Sequence, residues 1–268
     1  MTAKKAEKHL KKGGKTKSVS AVSPVISTII ISSTLLIILV IASFVSTNIL
    51  ELQLANTEFE QAKTSMLLLD KIIQDVALRE GAISSIQFSQ RSGGIGIYES
   101  TEIINITDSQ GNNLYPFDPN DAFYVIKYRG GSRVSAAETN LTGSSSLVVS
   151  MSDSLGYVRV KTGNGVWIVL DYLRVRVVTN TILRVGDTEY NLTDIFIIRL
   201  ELGSASGSGT VTVKVQNMGF TTTTQTYYLT NDVTLYIRVG DRSTELALSG
   251  SLTPVVRVTE ALIRVSIS

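Results

Sequence analysis

The feature that most constrains this chain is a stretch of thirty residues without a charged side chain. It covers residues 21–50, AVSPVISTIIISSTLLIILVIASFVSTNIL, and the nearest charges are Lys17 and Glu51. A helix rises about 1.5 Å per residue, so a helix of this length exceeds the roughly 30 Å hydrocarbon core of a bilayer. Pro24 suits the first helical turn, where its missing N–H leaves no bond unmade, and Ser23 is the predicted N-cap. The stretch therefore predicts a helix of membrane length.

The basic character of the chain is confined to the residues before this helix. Residues 1–20 hold seven lysines and one glutamate, a net charge of +6, whereas the whole chain is +2, which leaves −4 for the rest. The charge therefore does not indicate a nucleic-acid-binding protein, and none is expected as a partner. Lysines beside a membrane helix favour the cytoplasmic side, which places the residues after Glu51 outside the cell. The apolar run is longer than a secretory signal allows, so we expect it to stay attached.

The order of leader, motif and helix resembles the start of archaeal type IV pilin-like proteins. The motif is AVSPVI at residues 21–26, behind the lysine-rich leader, and the resemblance covers about the first fifty residues. It implies that a prepilin peptidase removes residues 1–21 by cutting between Ala21 and Val22. Ser20 stands where the family usually carries a charged residue. Ile26 stands at the fifth mature position, in keeping with the archaeal branch, because bacterial type IV pilins carry Glu there.

An apolar stripe with heptad spacing continues beyond the membrane-length run and predicts one helix over residues 22–80, ended by Gly81. Glu58 and the other charged residues nearby fall off this stripe. We expect its large members to form an assembly stripe that contacts neighbouring subunits or the subunit's own β domain. The alternative is a membrane anchor followed by a separate helix packed on its own domain. The assembly stripe consists of Phe59, Met66, Leu69 and Ile73.

From residue 81 onward the apolar period changes from about 3.6 residues to 2, and the segments are rich in Val, Ile, Thr and Tyr. This pattern predicts an all-β, sandwich-like domain over residues 81–268 that folds without the helix. A weak boundary near residue 180 would divide it into two subdomains. The pair Gly93-Gly94 predicts a hairpin between the strands on either side, and residues 203–209, GSASGSG, predict a flexible hairpin loop.

The residue types needed for several kinds of catalysis are missing. The chain has no cysteine, and its only histidine, His9, lies in the leader. Catalytic Ser-His-Asp and Cys-His arrangements and disulfides are therefore excluded after the leader, and we expect no enzyme, no cofactor and no metal site. Trp167 lies in an apolar run and is predicted to be a core residue. Arginines that alternate with apolar residues, Arg174 and Arg199 among them, are predicted to lie on solvated strand faces.

Three Asn-x-Thr sequons occur in the predicted β domain, at Asn105, Asn140 and Asn191. On a domain outside the cell, each is a candidate for N-glycosylation. The other interpretation is that Asn-x-Thr arises by chance in threonine-rich strands.

Two functions from different classes fit this organisation. The first is a structural subunit, with a minor pilin as one form of it, of an archaeal type IV pilus-like surface filament used for adhesion or cell contact. The resemblance implies other pilin subunits, the membrane, a secretion ATPase and a membrane platform as its partners. The second is a single-pass, membrane-anchored surface protein with a β-sandwich ectodomain. Both place the chain in the cell membrane with an extracellular carboxyl-terminal domain, and only the first requires removal of the leader.

Overall fold

The computed structural model describes residues 24–228, 232–249 and 252–268. Contacts within the chain define two compact units, one up to Leu50 and one from Glu51 to Ser268. A single helix, α1 (Pro24–Ala77), contributes residues to both units. The predicted cleavage site at Ala21 and Val22 and the predicted cap Ser23 lie outside the described residues.

The helix ends three residues before the predicted boundary. The N–H of Leu78 donates to the carbonyl of Asp75 at 3.3 Å, and the N–H of Arg79 donates to the carbonyl of Val76 at 3.2 Å, so the last helical residues are followed by tight turns. Gly81 has a φ of +72°. Only glycine adopts this left-handed conformation without a side-chain penalty, which explains why the chain changes direction there.

In the part of the chain that the structure describes, fifteen strands follow the helix and form three sheets. They are β1 (Ile83–Gln90), β2 (Gly94–Glu99), β3 (Ile104–Asp108), β4 (Asn113–Tyr115), β5 (Tyr124–Arg129), β6 (Thr139–Thr142), β7 (Val148–Val149), β8 (Tyr157–Gly163), β9 (Gly165–Asp171), β10 (Val175–Val185), β11 (Thr188–Ala205), β12 (Gly209–Thr226), β13 (Asp232–Val239), β14 (Arg242–Ser249) and β15 (Thr253–Ile267). The sheet orders are β1-β12-β15-β11-β10-β7, β14-β13-β3-β4 and β2-β5-β9-β8-β6.

Strand β15 occupies the middle of the six-stranded sheet. It runs parallel to β11, with Tyr190 opposite Thr253, and antiparallel to β12, with Val215 opposite Val265. The glycine-rich segment 203–209 therefore does not close a hairpin, because β15 lies between the two strands that it joins. The hairpin predicted at Gly93-Gly94 is also wrong, since β1 pairs with β12 and β2 pairs with β5 in a different sheet.

Two apolar clusters lie between the sheets and confirm the predicted class of a helix followed by a β sandwich. The first cluster joins residues of α1 to the six-stranded and five-stranded sheets, and includes Met66, Ile168 and Ile263. The second joins the six-stranded sheet to the four-stranded sheet, and includes Ile197 and Leu235. Inward and outward residues alternate along the strands, as the period of two predicts.

The boundary predicted near residue 180 is wrong. Strand β10 runs through this region, and its pairing with β11 shifts register between Val178 and Thr181. Such a shift is a β-bulge, which disrupts the alternation of apolar residues locally without ending the strand. Both clusters also combine residues from before and after position 180, and residues 51–268 form one compact unit.

Candidate membrane and assembly surface

The first half of α1 exposes an almost entirely apolar surface. Residues 25–50 contain no charged side chain, and every one of them is exposed except for two of intermediate exposure. Leu39 and Phe44 are each 70% exposed. Burying apolar area of this kind is worth roughly 25 cal/mol per Å². The surface therefore favours lipid, or protein of similar polarity, over water.

Several of the polar side chains in this half form hydrogen bonds to the helix itself. Thr34, Thr47 and Asn48 each donate to the carbonyl four residues earlier, at 2.8, 2.9 and 2.9 Å. Ser33 donates to the carbonyl of Ile29 in the same way. A polar group that bonds back to its own helix carries little cost in an apolar environment.

The helix is long and apolar enough to cross a membrane, by length and composition. Its most apolar window has a mean hydropathy of 2.7. At about 1.5 Å per residue, residues 25–50 alone extend roughly 39 Å, which exceeds the hydrocarbon thickness of a typical bilayer.

The second half of the helix, from Glu51 onward, is a core element of the β domain. Phe59, Met66, Leu69 and Ile73 are each at most 2% exposed and pack in the first apolar cluster with strand residues. The ring of Phe59 lies 6.5 Å from that of Tyr128 on β5. The predicted assembly stripe therefore faces the subunit's own sheets. The alternative prediction, that these four side chains contact neighbouring subunits, is wrong, because almost none of their surface is exposed.

A buried carboxylate fixes the helix to the loop after β1. Glu58 accepts hydrogen bonds from the N–H groups of Arg91 at 2.9 Å and Ser92 at 3.0 Å, and from the hydroxyl of Tyr128 at 3.0 Å. Burial, together with the Glu58 carboxylate, raises the pKa of Tyr128, so this phenol remains a donor. Charge-assisted bonds of this kind are stronger than neutral ones.

A second buried carboxylate lies three turns further along the helix. Asp70 accepts hydrogen bonds from the hydroxyls of Tyr172 at 2.7 Å and Ser154 at 2.8 Å. A Cβ atom at Gly156 would approach an Asp70 oxygen to 1.6 Å, so only glycine fits there. At the helix end, the buried side-chain amide of Asn217 donates to the carbonyl of Val76 at 3.1 Å. Polar contacts therefore accompany the apolar ones along this half of the helix.

Glu58 was predicted to lie off the apolar stripe. This is wrong, because Glu58 is only 8% exposed and lies on the buried face of the helix. The spacing of Glu58 could have indicated its burial, since Ala55 and Ala62 lie three residues before it and four after it on the same helix face.

The prediction that the arginines lie on solvated strand faces is wrong at two positions. Arg174 is 2% exposed and packs over the Tyr157 ring, and the side chain of Arg199 is 14% exposed and pairs with buried Glu260.

All three sequons lie in strands. Asn140 on β6 is exposed, and its side-chain oxygen accepts a hydrogen bond from the Tyr157 hydroxyl at 2.8 Å. Asn105 on β3 and Asn191 on β11 are half-buried and paired within their sheets. Glycosylation stays a prediction at all three positions, with Asn140 the most accessible.

Among residues 24–228, 232–249 and 252–268, no group of three or more His, Cys, Asp or Glu side chains is arranged to hold a metal ion. No family model matches the chain, and no curated protein or solved structure matches it.

Proposed function

We propose that the chain is a structural subunit of an archaeal type IV pilus-like surface filament. The observation that carries the proposal is the exposed apolar surface of residues 25–50 on a helix whose following residues are built into a β domain. Such a surface is compatible with storage in the bilayer and with packing against copies of itself, because both environments are apolar. The β domain then faces outward for adhesion or cell contact, and its sequons carry glycans.

The proposal assigns no covalent chemistry to the subunit. A prepilin peptidase removes residues 1–21, the membrane stores the helix, and other subunits receive it during assembly. Because the stripe from Phe59 to Ile73 is buried in the subunit's own core, polymerisation uses residues 25–50. The proposed interface is therefore shorter than the one that the sequence predicted, because it leaves out the stripe from Phe59 to Ile73.

A second candidate function is a single-pass, membrane-anchored surface protein with a β-sandwich ectodomain. The burial of the stripe from Phe59 to Ile73 favours this candidate, because these side chains have almost no exposed surface with which to contact a neighbouring subunit. In this case residues 25–50 remain in the bilayer permanently, and the leader is retained.

The decisive experiment compares Ala21→Trp with Ala6→Trp in the native host. If the chain is a pilin, mass spectrometry of wild type and Ala6→Trp should show a chain that starts at Val22. The same chain should be recovered by immunoblot in the sheared surface fraction. The bulky residue in Ala21→Trp should block cleavage and leave the protein in the membrane fraction only.

Retention of residues 1–20 in wild type, with no sheared fraction, would overturn the filament and support the anchor. Cleavage of Ala21→Trp at the wild-type position would show that the cut does not require a small residue at position 21.

A further inference from the structure

The outward face of the five-stranded sheet carries aromatic and cationic side chains close together. Alternation along the strands places Ile126 and Ile168 in the first apolar cluster and turns their neighbours to the opposite side. That side, here called the aromatic–cationic face, presents Tyr98, Lys127, Arg129, Arg159, Lys161 and Trp167. Trp167 is half-buried here, so its predicted place in the core is wrong.

The register of the sheet assembles these side chains from four strands. Arg129 on β5 and Lys161 on β8 lie on either side of Trp167 on β9. The ring of Tyr98 meets the ring of Trp167 edge-on at 6.2 Å, and the guanidinium of Arg129 lies 5.5 Å from the Trp167 ring. A Cβ atom at Gly96 would approach the Tyr98 ring to 2.9 Å, so the absence of a side chain there lets the ring lie against the sheet.

Three of the four cations on this face form no close ion pair in the described part of the chain, and the Glu138 carboxylate reaches one of them, Lys161, only at longer range. Arg159 forms an ion pair with Asp171 at 2.6 Å. Lys127, Arg129 and Lys161 form no ion pair with any residue in the described part of the chain. Lys127 instead lies 5.2 Å from the Tyr98 ring centre. Positive charge beside aromatic rings is therefore left available for an anionic ligand.

A cleft of about 450 Å³ lies over the same face. Its lining includes Val125 and Val169 from the sheet and the segment 99–102. A second hollow of about 500 Å³ also borders Arg159 and Lys161, and its lining includes Glu138 and Asn140. The two hollows share Glu102, Arg159 and Lys161 in their linings, so they are neighbours on this face.

Carboxylates are interspersed with the cations around both hollows, at Glu99, Glu102 and Glu138. A nucleic acid carries a phosphate at every residue and would meet these carboxylates as like charges. A chain of sugars has flat C–H faces that pack on aromatic rings and hydroxyls that donate to carboxylates. Acidic groups on some of those sugars would bind the unpaired cations.

We propose that the aromatic–cationic face binds a polysaccharide that carries carboxylate groups. Tyr98 and Trp167 pack against sugar rings, Lys127, Arg129 and Lys161 bind the carboxylates, and Glu99 and Glu102 accept bonds from hydroxyls. This inference goes beyond the proposed filament function and does not depend on it, because the site lies wholly within residues 51–268.

The test measures binding of the full chain in detergent micelles to immobilised hyaluronate, in which every second sugar carries a carboxylate, by biolayer interferometry. Wild type should bind, and the affinity should fall as salt is raised, since ion pairs at an exposed site are screened. Trp167→Ala and the double variant Lys127→Ala/Lys161→Ala should each weaken binding by about tenfold or more. Trp167→Phe, which keeps a ring, should bind more tightly than Trp167→Ala.

Matched controls change the same residue types elsewhere on the domain. Tyr228→Ala removes an exposed aromatic ring and Lys214→Ala removes an exposed cation, and both should leave binding within about twofold of wild type. Circular dichroism establishes that each variant is folded, and the double lysine variant tests the site if Trp167→Ala is unfolded.

Three results would overturn the proposal. The first is no binding of wild type to hyaluronate, and the second is equal binding to neutral dextran, which has no carboxylates. The third is tighter binding to oligothymidine, which would assign the face to a nucleic acid instead.

Discussion

Asp108, at the end of β3, is a buried carboxylate held by hydrogen bonds. It is 2% exposed and accepts bonds from the N–H groups of Gln110 at 2.9 Å and Asn112 at 2.8 Å, and from the hydroxyl of Tyr227 at 2.9 Å. Burial raises the pKa of Asp108, but the hydrogen bonds from Asn112, Tyr227 and Gln110 outweigh it, so the pKa lies below its ordinary value of 3.8. The charged form therefore stabilises the fold.

A lowered pKa in the folded state fixes the sign of a pH effect. The contribution of Asp108 is complete above the unfolded value of about 3.8 and is lost as the pH falls through the folded value. Asp108→Asn should lower the free energy of unfolding by about 1.5–3 kcal/mol at neutral pH. Its difference from wild type should shrink as the pH falls below about 3.8, as measured by thermal melting of the full chain in micelles.

Asp118→Asn is the matched control, because Asp118 bonds the Asn120 N–H in an exposed turn. Its stability should stay close to that of wild type at every pH. A gap between Asp108→Asn and wild type that stays constant from neutral to acid pH would contradict the assignment.

At the scale of elements, α1 serves two environments along one continuous helix. Residues 25–50 expose apolar side chains, whereas the residues from Ala55 to Ala77 bury one face in the β domain. Neighbouring positions in the second half differ sharply, since Leu69 is 0% and Leu68 is 49% exposed. The difference follows from the rotation of about 100° between successive residues of a helix.

The two adjacent leucines give a direct test of this orientation. Leu69→Ala should lower the free energy of unfolding by about 2–5 kcal/mol, because it leaves a cavity in the first apolar cluster. Leu68→Ala should change it by about 0.5 kcal/mol or less. Urea unfolding followed by tryptophan fluorescence measures both. Equal losses in the two variants would mean that the helix is not docked through this face.

At the scale of the whole molecule, the folding unit starts within the helix. Residues 51–268 form one compact unit, and the first apolar cluster contains eight buried apolar residues of α1, namely Ala55, Phe59, Ala62, Met66, Leu69, Ile73, Val76 and Ala77. We therefore no longer expect residues 82–268 to fold without the helix. We expect the folding unit to begin near Glu51.

Two fragments distinguish these boundaries. Residues 51–268 should be soluble, monomeric and rich in strand by circular dichroism. Residues 82–268 should aggregate, because removing the helix exposes the strand residues that it covers. Size-exclusion chromatography with light scattering measures both states. A monomeric 82–268 fragment with the same strand signal would restore the boundary at residue 81.

The parts of the fold that depend on local pattern were predictable. The apolar run, the change of period at Gly81 and the helix end to within three residues all follow from residues close together in sequence. The stripe at Phe59 and Met66 correctly indicated a buried face, but a period cannot state which surface covers that face. The sequence therefore left a neighbouring subunit and the subunit's own sheets equally compatible with it.

Features that depend on distant residues were missed. Gly93-Gly94 has the composition of a hairpin, but β1 and β2 find better partners over a hundred residues and about thirty residues away. Trp167 lies in an apolar run because both faces of β9 are partly covered, so alternation is masked there. The aromatic–cationic face is visible only once the register brings Tyr98, Trp167 and Lys161 together.

The position of β15 also determines an order of events during synthesis. Translation delivers β11 and β12 before residues 253–267, so both are made while the strand that separates them is missing. Until it arrives, each leaves N–H and C=O groups unpaired along one edge, through which strands of separate molecules can join. Pairing of Tyr190 with Thr253 is non-local, and such pairings form slowly. The strand that closes both edges is therefore the last one that the ribosome supplies.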